Sequence, residues 1–360
     1  MKRVAVLGAS GFIGNRAVEM LHSSGAFEVR PVVRRASAAA LPRRFDLDVR
    51  VADGREHEAL TAAFQDCDSV VVSVAGPPAT IVGVIEPIFQ AATAAGVRRL
   101  VYLSSASVHG QAPVHGVDEG SPLSERQPIE YNNAKVAAEL KLDQLGKSGG
   151  PEVVTLRPGI VFGPRSQWIG GWADELLSGQ AYLVDGARGL CNAIYMDDVV
   201  RAIISAMEAP GAPGRAYLLG QTEQVTWRDL YRPICDALGF DLEALPDYPA
   251  GAARPEPPAS GSKPLLPPAL RGLKKGVPES VRVGVRAALR HRRSGQAAGS
   301  SGGPAVSMER ALLHTADYVP PWRRAADDLG YRPVTSFEDG VRQSVAWLGF
   351  AGYPVKDPRR

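Results

Sequence analysis

Val4-Ala-Val-Leu-Gly-Ala-Ser-Gly-Phe-Ile-Gly14, running on into Asn15-Arg-Ala-Val-Glu-Met-Leu-His22, decides the fold. Val4 to Leu7 is a short apolar run of the kind a strand buried on both faces requires. Gly8, Gly11 and Gly14 punctuate a turn, and Ala17, Val18 and Leu21 then recur with helical spacing. A strand, a glycine turn and a helix in that order make a phosphate cradle. Gly8 permits the tight turn, Gly11 leaves bare backbone for a pyrophosphate, and Gly14 lets helix and strand pack closely. The spacing is G-x-x-G-x-x-G rather than G-x-G-x-x-G, and a glycine triplet alone would equally suit plain turns. Its place between strand and helix favours dinucleotide binding.

Working outward, the pattern alternates. Phe27 to Arg34, Asp46 to Val51, Ser69 to Gly76 and Arg98 to Ser105 read as further strands. His57 to Phe64 and Thr80 to Ala95, the latter despite Pro87, read as helices. Such alternation predicts an α/β fold, a doubly wound parallel sheet of Rossmann type. The second strand ends in Arg34-Arg35 with no acid before Asp46. An acid there would accept from a free ribose 2′-hydroxyl, whereas arginines suit a 2′-phosphate, so NADP is preferred and NAD is second choice. Asp53, beside Gly54, is placed to meet the adenine amino group or to cap the helix from His57. Ala75 and Gly76 end the fourth strand in small residues where a cofactor can pass.

Ligands in open parallel sheets sit beyond the carboxyl ends of the strands. Ser104-Ser-Ala-Ser-Val-His-Gly110 lies at the end of the fifth, and Tyr131-Asn-Asn-Ala-Lys135 opens a later helical segment. A tyrosine and a lysine four apart share a helix face, so the ammonium can lower the phenol pKa and let it shuttle a proton. Y-x-x-x-K also recurs by chance as a surface pair. Its order after the glycine turn and Ser105 favours catalysis.

Through these motifs, and through Leu156-Arg-Pro-Gly-Ile-Val-Phe-Gly-Pro164 and Tyr195-Met-Asp-Asp-Val199, the first 200 or so residues resemble the extended short-chain dehydrogenase/reductases. The likeness is to the NAD-dependent epimerase/dehydratase and 3β-hydroxysteroid dehydrogenase-like types. It implies a Rossmann-type domain mainly over 1–165, with a later contribution from about 190–220. A smaller substrate lobe, mainly 166–360, would include a Pro/Gly-rich basic insertion at about 243–319. It implies Ser105 as the catalytic hydroxyl, Tyr131 as proton donor and acceptor, and Lys135 as the group that lowers the tyrosine pKa and binds the nicotinamide ribose. Cofactor contacts follow at Gly8, Ser10, Gly11, Phe12, Ile13 and Gly14, at Arg34, Arg35, Asp53, Gly54, Ala75 and Gly76, and at Pro158 and Ile160 beside the carboxamide. Members acting on nucleotide sugars often carry asparagine where this chain has Ile160, and arginine near Cys191. Those departures point toward a less polar alcohol or ketone, although Arg165 and Arg188 could substitute. An NAD(P)-retaining epimerase or dehydratase and a non-catalytic NADP-sensing protein stay open as alternatives.

Composition sets mild bounds. Hydrophobic residues make up 45% and charged ones 22%, and the net charge of +3 is too small to argue for nucleic acid. The expected partner is a small-molecule substrate, with no metal site. Cys67, Cys191 and Cys235 lack metal-type spacing and suit a reducing cytoplasm. No apolar run of about 18 residues predicts a membrane span. Homodimers are frequent in the resembling family, while no segment marks an interface. Pro278 to Arg293 sets Arg282, Arg286, Arg290 and Arg293 beside an apolar stripe at Val281, Val285, Ala288 and Leu289. This reads as a lid helix with a solvated basic side, or as a weak membrane-surface or anion contact.

Overall fold

The computed structural model describes residues 1–210, 212, 214–254 and 305–356. The basic stretch from Pro278 to Arg293, and most of the insertion around it, lie outside the described residues. The chain divides into two units: 1–161 with 192–223 and 318–337, and 162–191 with 224–317 and 338–360.

The first unit is built on a seven-stranded parallel sheet. Its strands are β1 (Lys2–Leu7), β2 (Phe27–Val33), β3 (Arg50–Val51), β4 (Ser69–Val72), β5 (Arg99–Leu103), β6 (Glu152–Pro158) and, last, Arg215–Leu219. Their spatial order is Arg215–Leu219, β6, β5, β4, β1, β2, β3. The reversal of strand order at β1 and β4 is a topological switch point, and it puts a crevice at the carboxyl ends of those strands. Val4 pairs with both Val29 and Ser69, so β1 has neighbours on either side. That is why Val4 to Leu7 can be apolar without alternation.

Helices α1 (Phe12–Ser23), α2 (His57–Phe64), α3 (Pro78–Gly83), α4 (Ile85–Ala94) and α5 (Glu130–Gly146) belong to this unit. The helix expected over Thr80 to Ala95 is two helices that meet at Val84. Pro87 explains the break: its nitrogen cannot donate to the Gly83 carbonyl one turn back, whereas the first turn of a new helix needs no such donor. The third strand is shorter than expected, only Arg50–Val51, and the Glu152–Pro158 strand went unread. Asp53 does not cap α2. Glu56 holds that position, and Asp53 Oδ1 accepts from the Arg55 amide at 3.1 Å instead.

Tyr318–Phe337 returns to the first unit for specific reasons. Tyr331 Oη donates to the Gly220 carbonyl, and the fully buried Asp198 accepts from the Val334 and Thr335 amides.

The second unit carries α6 (Gln167–Leu177), α7 (Trp227–Leu238) and the helices Met308–His314 and, from its second residue, Phe337–Phe350. Thr226 caps α7 in a reciprocal box with Asp229. Short ladders join Leu183–Val184 to Asp247–Tyr248 and Leu190–Cys191 to Val225–Thr226. No helix of the described residues is long and apolar enough to cross a membrane.

Candidate active site

Two glycines of the first turn are fixed by the backbone that crowds them. Gly8 adopts φ 88°, and a Cβ there would stand 2.3 Å from the Ser73 carbonyl oxygen. A Cβ on Gly14 would come equally close, 2.3 Å, to the oxygen of Gly8. Gly11 is different. An added Cβ would meet only the Gly8 oxygen, at 3.1 Å, and as N-cap of α1 it has no side chain to offer the first-turn amides. Those amides, with no acid in the first turn, leave the positive end of a twelve-residue helix bare. This is the electrostatic and steric requirement for a bound pyrophosphate, so the turn fits a dinucleotide.

The other expected cofactor residues follow the carboxyl ends of the strands. Arg34 and Arg35 are both exposed just after β2, Asp53 is half-buried after β3, and Ala75 and Gly76 are exposed after β4. Gly54 is buried, and a Cβ there would press to 2.9 Å on Val84 Cγ1. Pro158 ends β6. Ile160 follows, its amide donating to the Asn192 carbonyl at 2.6 Å.

Ser105 leaves β5 as N-cap of a short 3-10 turn, Ala106–His109. Its Oγ accepts from the Ser107 amide at 3.2 Å, a bond that leaves the hydroxyl hydrogen unused. Tyr131 and Lys135 lie in the first two turns of α5, the tyrosine half-buried and the lysine only 2% exposed. Lys135 Nζ donates to the Leu103 carbonyl at 2.8 Å and reaches Tyr102 Oη at 3.5 Å. It stands 5.9 Å from the centre of the Tyr131 ring. The ammonium is thus tethered to the end of β5, the strand that also delivers Ser105. Burial pulls its pKa down to about 8, and the Glu139 carboxylate one turn along opposes that shift.

Sequence reasoning missed what supports these three. Glu139 is paired with Arg157 of β6, Nη2 to Oε2 at 2.6 Å, with both side chains buried. The same guanidinium donates Nη1 to His109 Nε2 at 3.1 Å. Arginine can only donate, so that nitrogen accepts, and burial beside Arg157 pushes the His109 pKa down to about 4. His109 is therefore neutral near neutrality. Gln127 joins the Ser105 turn to the start of α5. Its Nε2 donates to the Val108 carbonyl at 2.8 Å, and its Oε1 accepts from Asn132 Nδ2 at 2.9 Å. The one available signal was Glu139 four residues after Lys135 on the same helix face.

The chain is similar to known proteins over more than half of its length. The model of the NAD dependent epimerase/dehydratase family matches residues 4–220. A 3-diazoavenalumate denitrifying reductase from a Streptomyces species is 31% identical over 225 residues, which cover 58% of this chain and 72% of that protein. A 3β-hydroxysteroid dehydrogenase/Δ5→4-isomerase of Mycobacterium tuberculosis is 28% identical over 261 residues, covering 66% and 70%. The solved structure of DesIV, a dTDP-glucose 4,6-dehydratase of Streptomyces venezuelae with NAD and TYD bound, shares the fold. Its TM-score is 0.71 at 21% identity, over 97% of each chain. With the glycine turn, the switch-point crevice and the family match over most of the first unit in agreement, the chain belongs to the NAD dependent epimerase/dehydratase family, among the extended short-chain dehydrogenase/reductases.

Proposed function

We propose that this enzyme is an NADP-dependent reductase or dehydrogenase acting on a secondary alcohol or ketone of a small-molecule substrate. The observation that carries the reading is Lys135, a buried ammonium anchored on the Leu103 carbonyl and facing the Tyr131 ring from the next turn of α5. A lysine buried at that cost is hard to explain as a surface pair.

The nicotinamide, when bound, supplies or accepts the hydride. Tyr131 moves the proton to or from the substrate oxygen at its phenolic oxygen, and the free hydroxyl hydrogen of Ser105 donates to that same oxygen. Lys135 favours the phenolate through its charge. Ser10, Gly11, Phe12 and Ile13 hold the pyrophosphate on backbone amides, between Gly8 and Gly14. Asp53 and Gly54 meet the adenine, Ala75 and Gly76 line the cofactor's path, and Pro158 and Ile160 face the carboxamide. Arg34 and Arg35 select NADP over NAD by taking the 2′-phosphate. Cys67, Cys191 and Cys235 are all free and buried, in keeping with the reducing cytoplasm we assign.

Redox turnover is favoured over sugar-nucleotide chemistry because Ile160 offers no side-chain hydrogen bond and the buried Cys191 no positive charge. A non-catalytic sensor would not need Ser105, Tyr131 and Lys135 together. The test is oxidation of NADPH by the purified enzyme against a panel of ketones, with NADH in parallel. Turnover with NADPH is expected. Activity on nucleotide sugars alone, with no net change in cofactor, would overturn the reading in favour of an epimerase or dehydratase.

A further inference from the structure

The second unit holds a cavity of about 710 Å3, within the size range of ligand sites. Its wall carries five aromatic side chains: Trp168, Trp172, Tyr182, Tyr231 and Tyr248. Four of them form two ring pairs. Tyr231 stacks on Trp172 with 3.9 Å between ring centres, and Tyr182 meets Tyr248 edge-on at 5.7 Å. Among the described residues, the charges at the wall are Glu175, Glu309 and Arg310. Arg310 is already engaged. Its Nη2 donates to both Glu175 oxygens, at 2.9 and 2.8 Å, and its guanidinium lies 4.3 Å from the centre of the Tyr182 ring. His314 adds no charge near neutrality. Its Nδ1 accepts from the Val184 amide, its Nε2 faces Tyr231 Oη, and burial beside Arg310 pushes its pKa down to about 3.

We propose that this cavity binds an uncharged aromatic small molecule. Trp168 and Tyr248, the half-buried rings of the wall, offer such a molecule flat apolar surface, and the buried Trp172–Tyr231 stack of the same wall is already fixed, so little side-chain ordering is needed on binding. A nucleoside diphosphate would instead place two phosphates against two carboxylates, with the one guanidinium that the described residues bring to the wall already paired. The proposal rests on the oxidoreductase reading only for the choice of a ketone as probe.

Calorimetric titration of the full chain with NADP saturating tests it, using 4-phenyl-2-butanone and uridine diphosphate as ligands. The aryl ketone should bind, equally to wild type and to Tyr131→Phe, and uridine diphosphate should not. Trp168→Ala should weaken the ketone roughly three- to tenfold, the scale of one aromatic contact, while Trp168→Phe largely restores it. Glu175→Gln frees Arg310 and should admit uridine diphosphate. Wild type binding the diphosphate as tightly as the ketone would overturn the proposal. So would ketone binding indifferent to Trp168→Ala, or a Glu175→Gln chain that still excludes the diphosphate. Trp168-dependent ketone binding in a protein that reduces no ketone of the panel with NADPH would sink the reductase reading and leave the cavity standing. Reduction of ketones by NADPH with Trp168-independent binding would do the reverse.

Discussion

The candidate site of the first unit is backed by three buried charges, whereas the cavity of the second unit is backed by buried rings with polar tips. Lys135, Glu139 and Arg157 are each at most 8% exposed; Glu139 and Arg157 pair across α5 and β6, and Lys135 is held by the Leu103 carbonyl. In the second unit Tyr231 and His314 hydrogen-bond to each other within a cluster that includes Trp172 and Trp227. Proton transfer needs a charge kept at one spot, and a buried charge persists only if partners surround it. Holding a ligand's shape needs rigid surface, which stacked rings supply with few ionic partners.

The sharpest way to break this contrast is at the two tyrosines. Tyr131→Phe should lower turnover by roughly two to four orders of magnitude, the usual range for a lost acid–base group, and leave NADP titration unchanged. Near wild-type turnover would remove Tyr131 from the chemistry. Next in size is Arg157→Met, which strands the Glu139 carboxylate in the interior. A loss of about 3–5 kcal/mol in urea unfolding is expected. Adding Glu139→Gln should recover part of it, and a loss below about 1 kcal/mol would mean the pair is not what steadies α5 on β6.

Replacing Arg34 and Arg35 by Ser should cost NADP about 1.5–3 kcal/mol per lost charge-assisted contact and leave NAD nearly unaffected. Tighter NAD than NADP binding in wild type would reverse the assigned preference. In the second unit, Tyr231→Phe keeps the ring stack but leaves the His314 ring nitrogen unpaired. Unfolding should become easier by about 1–3 kcal/mol while kcat barely moves. A large kcat effect there would erase the distinction between the two regions.

The smallest expected effect is in the pH dependence of stability. His314 has its folded pKa depressed from 6.5 to about 3, so the unfolded chain takes up its proton first. Its contribution is complete above pH 6.5 and drains away as pH falls toward 3. Lys135, depressed from 10.5 to about 8, costs stability while charged, and that cost is relieved as pH climbs above 8. Urea midpoints should therefore fall on acidification, and His314→Gln should flatten the slope below pH 6.5. An unchanged slope in that variant would put the acid sensitivity elsewhere.

What the sequence alone determined is local. Val4 to Gly14 dictates strand, turn and helix because burial on two faces and the tight turn are written in neighbouring residues. Tyr131 and Lys135 share a face because helical spacing puts them there. Tertiary structure decided the rest. Lys135 titrates near 8 only because β5 and α5 close over it, and no spacing reveals how much water a side chain will lose. Arg157 and Glu139 are 18 residues apart, yet their pairing exists only once β6 lies against α5. The aromatic cavity gathers Trp168, Tyr231, Tyr248 and Arg310 from four stretches of chain. Burial and the distance between remote residues set both pKa and pocket shape, and the chain acquires those two quantities only when it folds.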